Sequence, residues 1–121
     1  MSSAREGAVR DLLEELERSV PGSTAALLTR SGSLFAGRTP HDAPREPYAA
    51  MMAVLHGASE AGTAEMGEEL HIVQIHTSKG AVFVTGAGRK MLLVLHVPDS
   101  AAAEAAAKQV RAAGPRLAEL F

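Results

Sequence analysis

The chain has 121 residues, of which 46% are hydrophobic, 21% are charged and 3% are aromatic, and its formal net charge is -2. This length suits a single domain with a hydrophobic core over residues 1–121 and is too short for two domains. The acidic balance and the few aromatic residues argue against nucleic-acid binding, and the absence of cysteine excludes disulfides, thiolate metal sites and a catalytic thiol.

The chain begins with a predicted amphipathic helix and not with a signal peptide. The first ten residues lack the basic and apolar regions of a signal peptide, so a cytoplasmic location is expected. Residues 4–20 are predicted to be helical because apolar residues recur at the spacing of a 3.6-residue period. This stripe consists of Val9, Leu12, Leu13, Leu16 and Val20.

A predicted hairpin follows the first helix. Residues 24–30 and 33–37 are typical of two short strands. Ser31-Gly32 between them indicates a tight turn, because glycine supplies the positive φ that such a turn needs. Residues 38–47 contain three prolines and predict an irregular surface connection.

The next predicted helix begins near Pro47 and stops near Gly67. Its first three turns, residues 48–59, contain no Asp, Glu, Lys or Arg, whereas a helix on the surface of a soluble domain normally keeps a charged face. The segment is too short to cross a bilayer, so no membrane insertion is expected. We therefore expect one face of this helix to cover its own domain and another to contact a second protein.

Residues 69–97 predict three antiparallel strands, at 69–78, 81–86 and 91–97, because the connecting turns are too short for parallel neighbours. The last strand is apolar from Met91 to Leu95, which predicts a central strand covered on both faces. The first strand is more mixed and is typical of a partly covered edge. Its alternation places His71, Val73, Ile75 and Thr77 on one face and Leu70, Ile72, Gln74 and His76 on the other.

The chain is predicted to end in a helix that is capped by Asp99 or Ser100, with a kink or break at Gly114-Pro115. The element order α-β-β-α-β-β-β-α indicates an α+β fold, a three-layer sandwich around a five-stranded antiparallel sheet. We expect the first and last helices on one face of the sheet and the middle helix on the other. One helix covers five strands poorly, which is a second reason to expect a partner on that side.

Two stretches give the chain a family resemblance: LLEELERSVPGSTAALLTRSGSLFAG at residues 12–37 and ELHIVQIHTSKGAVFVTGAGRKMLLVLHV at residues 69–97. With Gly22, Gly32 and Gly80 at matching turns, the chain resembles the roadblock (dynein light-chain) family, of the bacterial and archaeal small-GTPase regulator type, related in shape to profilin-like folds. The resemblance implies a dimer in which strands at residues 69–78 pair edge to edge and the middle helices lie side by side. It further implies a regulator or scaffold that binds a small Ras-like GTPase and modulates its nucleotide cycle or localisation.

The uncharged helix and the predicted edge strand together predict a dimer or partner interface and not an enzyme active site. The predicted interface consists of Tyr48, Met51, Met52, Leu55, His56, Ser59, His71, Val73 and Ile75. Arg38, His41 and Arg45 lie in the loop that enters the helix and are candidates for charge complementarity toward a GTPase.

No catalytic residue, cofactor site or metal site is predicted. His71 and His76 fall on opposite faces of a strand, no HExxH is present, and a strand rather than a helix follows the glycine-rich turn at residues 86–90. The chain lacks GxxxxGK[ST], so it is not itself expected to be the GTPase. Two alternatives stay open: a profilin-like or PAS-like small-molecule sensor, for which Gln74, His76 and His56 are the polar candidates, and a dimerisation module without a GTPase partner.

Overall fold

A computed structural model describes residues 3–121 of the protein, which form a five-stranded antiparallel sheet between two layers of helices. The elements are α1 (Ser3–Ser19), β1 (Thr24–Thr29), β2 (Leu34–Gly37), α2 (Arg45–Glu65), β3 (Val73–His76), β4 (Ala81–Ala87), β5 (Met91–Val97) and α3 (Ala103–Ala118). Short 3₁₀ turns at Pro40–Asp42 and Ser100–Ala102 precede α2 and α3. The predicted fold class and element order are confirmed.

The strands lie in the order β2-β1-β5-β4-β3, and each pair of neighbours is antiparallel. β5 is therefore central, as its apolar sequence predicts. The register sets Val94 of β5 beside Ala26 of β1 on one side and beside Val84 of β4 on the other. β2 and β3 form the two edges of the sheet.

Side chains of β5 are buried on both faces of the sheet. Leu93 and Leu95 point into a larger hydrophobic core under α1 and α3, while Leu92 and Val94 point into a smaller core under α2. All four are at most 1% exposed. Alternating side chains of a strand fill both cores at once, which explains why this strand tolerates no polar residue before His96.

Helices α1 and α3 share one face of the sheet and α2 covers the other, as predicted. The apolar stripe of α1 is buried at Val9, Leu13 and Leu16, and that of α3 at Val110 and Leu117. These side chains pack into the same core as β4 and β5. The apolar periodicity of both helices therefore points inward.

Helix α2 begins at Arg45, earlier than the sequence predicts, with Pro44 as its N-cap. Pro47 is the third helical residue and is tolerated there, because N–H groups in the first turn have no intrahelical acceptor. The helix ends where predicted. Gly67 takes a φ of 73° and its N–H donates to the Ala64 carbonyl, while Glu68 N–H donates to Thr63, so glycine closes the helix in a Schellman arrangement.

Of the kink or break predicted at Gly114-Pro115, the break is wrong, because α3 is continuous through both residues. Pro115 lies in the last turn, so the N–H that it lacks removes only a bond near the helix end. Gly114 is buried against β4, where an added Cβ would lie 2.8 Å from the Gly86 carbonyl oxygen. Close packing of this turn on the sheet holds the helix together at the proline.

Strand β3 spans four residues, and the predicted ten-residue strand at 69–78 is too long. Its pairing with β4 starts at Val73, which lies opposite Val84. Before that point the Thr85 hydroxyl donates to the His71 carbonyl at 2.8 Å. The Thr85 side chain thus occupies the His71 carbonyl oxygen, which would accept a backbone N–H in a regular ladder, and β3 begins after this residue.

Candidate interface on the second helix and the third strand

The inner side of α2 packs on the smaller core. Ala49 and His56 are buried, and Tyr48, Met52 and Ala53 are half-buried against Ala26, Leu28, Val84, Leu92 and Val94. Burial raises the pKa of the Tyr48 hydroxyl to about 12. The helix therefore covers its own sheet with residues spaced three and four apart, as an amphipathic helix does.

The outer side of α2 is also apolar. Met51 is 65% exposed and Val54 is 68% exposed. Leu55 is half-buried and Ala58 is exposed, and these four residues fall at positions i, i+3, i+4 and i+7 on one stripe. We call this stripe, Met51, Val54, Leu55 and Ala58, the outer face. Exposed apolar residues grouped in this way are typical of a contact site.

Strand β3 lies at the edge of the sheet and pairs with β4 alone among the described strands. Val73 and Ile75 are half-buried against the smaller core, on the side of the sheet that α2 covers. Gln74 and His76 are exposed. The edge strand β3 therefore directs Val73 and Ile75 to the side of the sheet on which α2 lies.

His56 is placed differently from the prediction, because it belongs to the interior and not to an exposed contact surface. It is 3% exposed and lines a cleft between the second half of α2, Arg30 at the end of β1, the segment before β3 and Gly86 of β4. Burial lowers the pKa of its imidazole, the Arg30 charge lowers the pKa further, and Glu60 opposes both. Ser59 is half-buried, and its hydroxyl donates to the Leu55 carbonyl at 2.9 Å.

His71 does not share a face with Val73 and Ile75, contrary to the predicted alternation. Arg111 of α3 lies 3.2 Å from its Nδ1, on the far side of the sheet from α2. His71 precedes the regular strand, so the two-residue period does not extend back to it. This residue lies away from the outer face of α2.

Arg30 is not among the residues that the sequence predicts to be functional. Its guanidinium lies 3.4 Å from the Glu60 carboxylate, donates to the Gly88 carbonyl at 2.8 Å, and passes over Gly86, where an added Cβ would meet it at 3.0 Å. Arg30 and Glu60 are 30 residues apart in the chain, and only the fold brings them together. The Arg30 Nε and the His56 Nδ1 are both buried, and neither has a hydrogen-bond partner among the described residues.

The basic residues of the loop before α2 are spread over a wide area. Arg38 follows β2, at the sheet edge opposite to β3, and its guanidinium lies 3.1 Å from the Glu17 carboxylate. Arg45 is exposed at the start of α2. The His41 ring packs edge-on against His96 at 5.2 Å, and the pKa of His96 is lowered by burial and by His41.

Within residues 3–121 no group of three or more His, Cys, Asp or Glu residues is arranged to hold a metal ion. No helix in the same range is long and apolar enough to span a membrane.

The model of the Roadblock/LC7 domain family matches residues 8–96 of the chain. The protein belongs to the Roadblock/LC7 family. The matched residues of this roadblock domain include all of α2 and β3, so the candidate interface lies inside the family's own segment. Helix α3 follows the matched region. A comparison with curated proteins finds no match.

Solved structures similar to this roadblock domain include three of MglB. The gliding protein MglB from Thermus thermophilus is 25% identical, with a TM-score of 0.87 over 99% of this chain and 93% of that chain. MglB in a tetrameric arrangement is likewise 25% identical, with a TM-score of 0.87 over 99% and 92%. Myxococcus xanthus MglB has the same TM-score over 100% and 92% at 15% identity, which shows the shared fold alone.

Proposed function

We propose that this roadblock domain is a homodimeric regulator or scaffold that binds a small Ras-like GTPase and catalyses no reaction of its own. One observation carries the proposal: α2 keeps Met51 and Val54 exposed on its outer face, and it lies on the side of the sheet to which the edge strand β3 directs Val73 and Ile75. In a monomer the apolar outer face of α2 would stay exposed to water, which is unfavourable. A second copy covers the stripe and pairs the strand.

A two-fold arrangement uses both features together. In such a dimer the same surface of each subunit contacts its counterpart, so β3 can pair with its twin while the two α2 helices lie side by side. Burying a Met or Val side chain completely contributes about 1.5–3 kcal/mol. Residues 48–59 carry no charge, so this contact requires no desolvation of an ionised group.

The GTPase part of the proposal is supported by family membership and by the likeness to MglB, described as a gliding protein. We place the protein in the cytoplasm and expect the paired α2 helices to form the surface that the GTPase contacts. Arg45 is exposed beside that surface, whereas Arg38 is held by Glu17. Any change in GTP turnover is expected to come from repositioning the GTPase's own residues and not from a supplied arginine.

The dimer is tested by Val54→Glu, with Met66→Glu as the matched control. Both positions are apolar and about equally exposed, at 68% and 64%, but Val54 lies in the middle of α2 whereas Met66 is its C-cap, about two turns beyond the outer face. A glutamate at 54 places a charge in the interface, so dimerisation should weaken at least about tenfold. Sedimentation velocity measures the oligomer, and circular dichroism verifies the fold. A monomeric wild type, or equal behaviour of both variants, contradicts the proposal.

Binding to the GTPase is tested by calorimetry with a small Ras-like GTPase encoded in the same genome, loaded with GDP or with a non-hydrolysable GTP analogue. We expect the wild-type dimer to bind one nucleotide state more tightly, and Val54→Glu to lose that binding. Arg45→Ala should weaken binding in a salt-dependent way without abolishing an effect on GTP turnover. A stable dimer that binds neither state would instead be a dimerisation module without a GTPase partner.

A further inference from the structure

Residues 38–44 join β2 to α2, and we call them the entry segment. The segment contains the 3₁₀ turn Pro40–Asp42, in which Pro40 is buried. The Ala43 N–H donates to the Pro40 carbonyl at 2.9 Å, and the Thr39 hydroxyl donates to the Ala43 carbonyl at 2.7 Å. The entry segment is thus a compact turn whose conformation is fixed partly by its own hydrogen bonds.

Two consecutive residues of the entry segment have a left-handed backbone. The φ angle is 52° at His41 and 56° at Asp42. A positive φ is uncommon outside glycine because the Cβ crowds the following carbonyl, so such residues persist where their surroundings hold them in place. The segment therefore stores backbone strain, which is relieved if it loses its contact with the rest of the domain.

The His41 ring provides a contact between the entry segment and the sheet. It packs edge-on against the ring of His96 in β5, with 5.2 Å between the ring centroids. Side chains of β5 alternate between the two faces, so half-buried His96 lies on the same side as Leu92 and Val94, the side that α2 covers. The His41 ring therefore packs on the sheet just beyond the smaller core.

The neighbours of His96 on the sheet carry no charge. Thr24 of β1 and Val82 of β4 lie directly opposite His96, and Ile75 of β3 lies beside Val82. Burial lowers the pKa of the His96 imidazole, and the charge of His41 lowers it further. A proton on His96 is thus disfavoured while the His41 ring covers it.

The acidic residues that lie near this contact in the chain are directed elsewhere or open to water. Asp42 follows His41 and is exposed. Asp99 lies three residues after His96, is also exposed, and its carboxylate accepts from the Ala101 N–H at 3.0 Å. Protonation of both rings therefore places two positive charges side by side.

We propose that the contact between His41 and His96 is an acid-sensitive switch, which holds the entry segment against the sheet at neutral pH and releases it when both imidazoles are protonated. Release returns His96 to water, where it binds a proton more readily, and it relieves the strain at His41 and Asp42. The closed segment is fully favoured above about pH 6.5 and loses up to about tenfold in its equilibrium for each pH unit below that value. The switch requires neither a dimer nor a GTPase.

NMR relaxation of the full chain tests the proposal. The heteronuclear NOE of the backbone amides of residues 41–43 reports motion on the picosecond-to-nanosecond timescale. We expect values as high as those of β5 at pH 7.5 and a clear loss at pH 5, while the values of β5 stay unchanged. An entry segment that is equally rigid at both pH values would overturn the proposal.

His96→Gln and His76→Gln form a matched pair of variants. The first removes the half-buried imidazole that titrates at the contact, so residues 41–43 should give the same NOE at pH 7.5 and pH 5, whatever its level. The second removes an exposed imidazole of β3 and should lose rigidity on acidification as the wild type does. If His96→Gln also loses rigidity like the wild type, His96 is not part of the switch and the proposal is wrong.

Titration of the histidine rings keeps the test valid if His96→Gln fails to fold. In the wild type, protonation of His96 and the loss of rigidity at residues 41–43 should share one midpoint. His41→Gln removes the neighbouring charge and should raise the pKa of His96, and an unchanged pKa in this variant would overturn the proposal. Dimerisation is measured by sedimentation at neutral pH, where the segment is closed, so failure of the switch leaves the regulator proposal untouched.

Discussion

At the scale of single residues, His56 is a buried titratable group in the candidate region. It lies on α2, is 3% exposed, and its Nδ1 has no hydrogen-bond partner within residues 3–121. Burial, followed by the Arg30 charge, holds the pKa of its imidazole below the usual value of about 6.5. The unfolded chain therefore binds a proton at this position more readily than the folded chain does.

The free energy of unfolding should consequently decrease as the pH decreases. The contribution of His56 is fully present above about pH 6.5 and is lost as the pH falls through the folded-state pKa, with a slope of at most about 1.4 kcal/mol per pH unit. Between pH 8 and pH 5 the His56→Asn protein should lose less stability than the wild type does. The difference should be at most about 1.4 kcal/mol for each pH unit below about 6.5. His96, whose pKa is also lowered, keeps its own share in both proteins.

Urea unfolding at several pH values measures this difference. His76→Asn is the control, because it removes an exposed imidazole from β3 without emptying a buried position. A His56→Asn protein with the same pH dependence as the wild type would show that His56 titrates alike in the folded and unfolded chains.

At the scale of elements, α3 packs closely on β4 at Gly114. Gly114 has room for no side chain there, since an added Cβ would lie 2.8 Å from the Gly86 carbonyl oxygen and 3.5 Å from the Thr85 methyl group. Gly86 also lies directly beneath the Arg30 guanidinium, where an added Cβ would lie 3.0 Å from a terminal nitrogen of Arg30. The packing of α3 on one face is thus connected through Gly86 to the Arg30 side chain on the other.

Gly114→Ala should destabilise the protein by about 1–3 kcal/mol, because the methyl group meets backbone and not a flexible side chain. Gly62→Ala is the matched control in another helix. An added Cβ at Gly62 meets nothing within 4 Å, so the higher helix propensity of alanine should raise stability by up to about 1 kcal/mol. Thermal unfolding compares the two, and equal shifts would contradict the close contact of α3 with β4.

At the scale of the whole molecule, the two faces of the sheet are covered unequally. Two helices pack over the larger core, while α2 alone packs over the smaller one and keeps Met51 and Val54 exposed. If a second copy completes that side, stability must depend on protein concentration, because dimerisation favours the folded state by mass action.

The melting temperature of the wild type should therefore fall on dilution, with a loss of up to about 1.4 kcal/mol for each tenfold step. Val54→Glu should melt at the same temperature at every concentration, and Met66→Glu should behave like the wild type. Differential scanning calorimetry over a wide concentration range measures all three. A wild type whose melting temperature ignores concentration would indicate that α2 is stable without a partner.

Local patterns predicted most of the fold. The period of apolar residues placed α1 and α3, and the unbroken run from Met91 to Leu95 placed β5 at the centre of the sheet. The sequence pattern predicts the wrong helix or strand limits where contacts between residues far apart in the chain override local preference. Packing of Gly114 on β4 keeps α3 continuous at Pro115, and the Thr85 hydroxyl shortens β3 by bonding His71.

By itself the sequence determined the element order, the central strand, the edge position of β3 and the presence of an uncharged helix, because these follow from periodicity and turn residues. Only the tertiary structure decided how α2 is rotated on the sheet, with His56 inward and Val54 outward. It also decided that Arg30 reaches Glu60 and that His71 faces α3. In a helix that is apolar nearly all round, its own sequence favours no face, so contacts with residues far along the chain decide which side is buried.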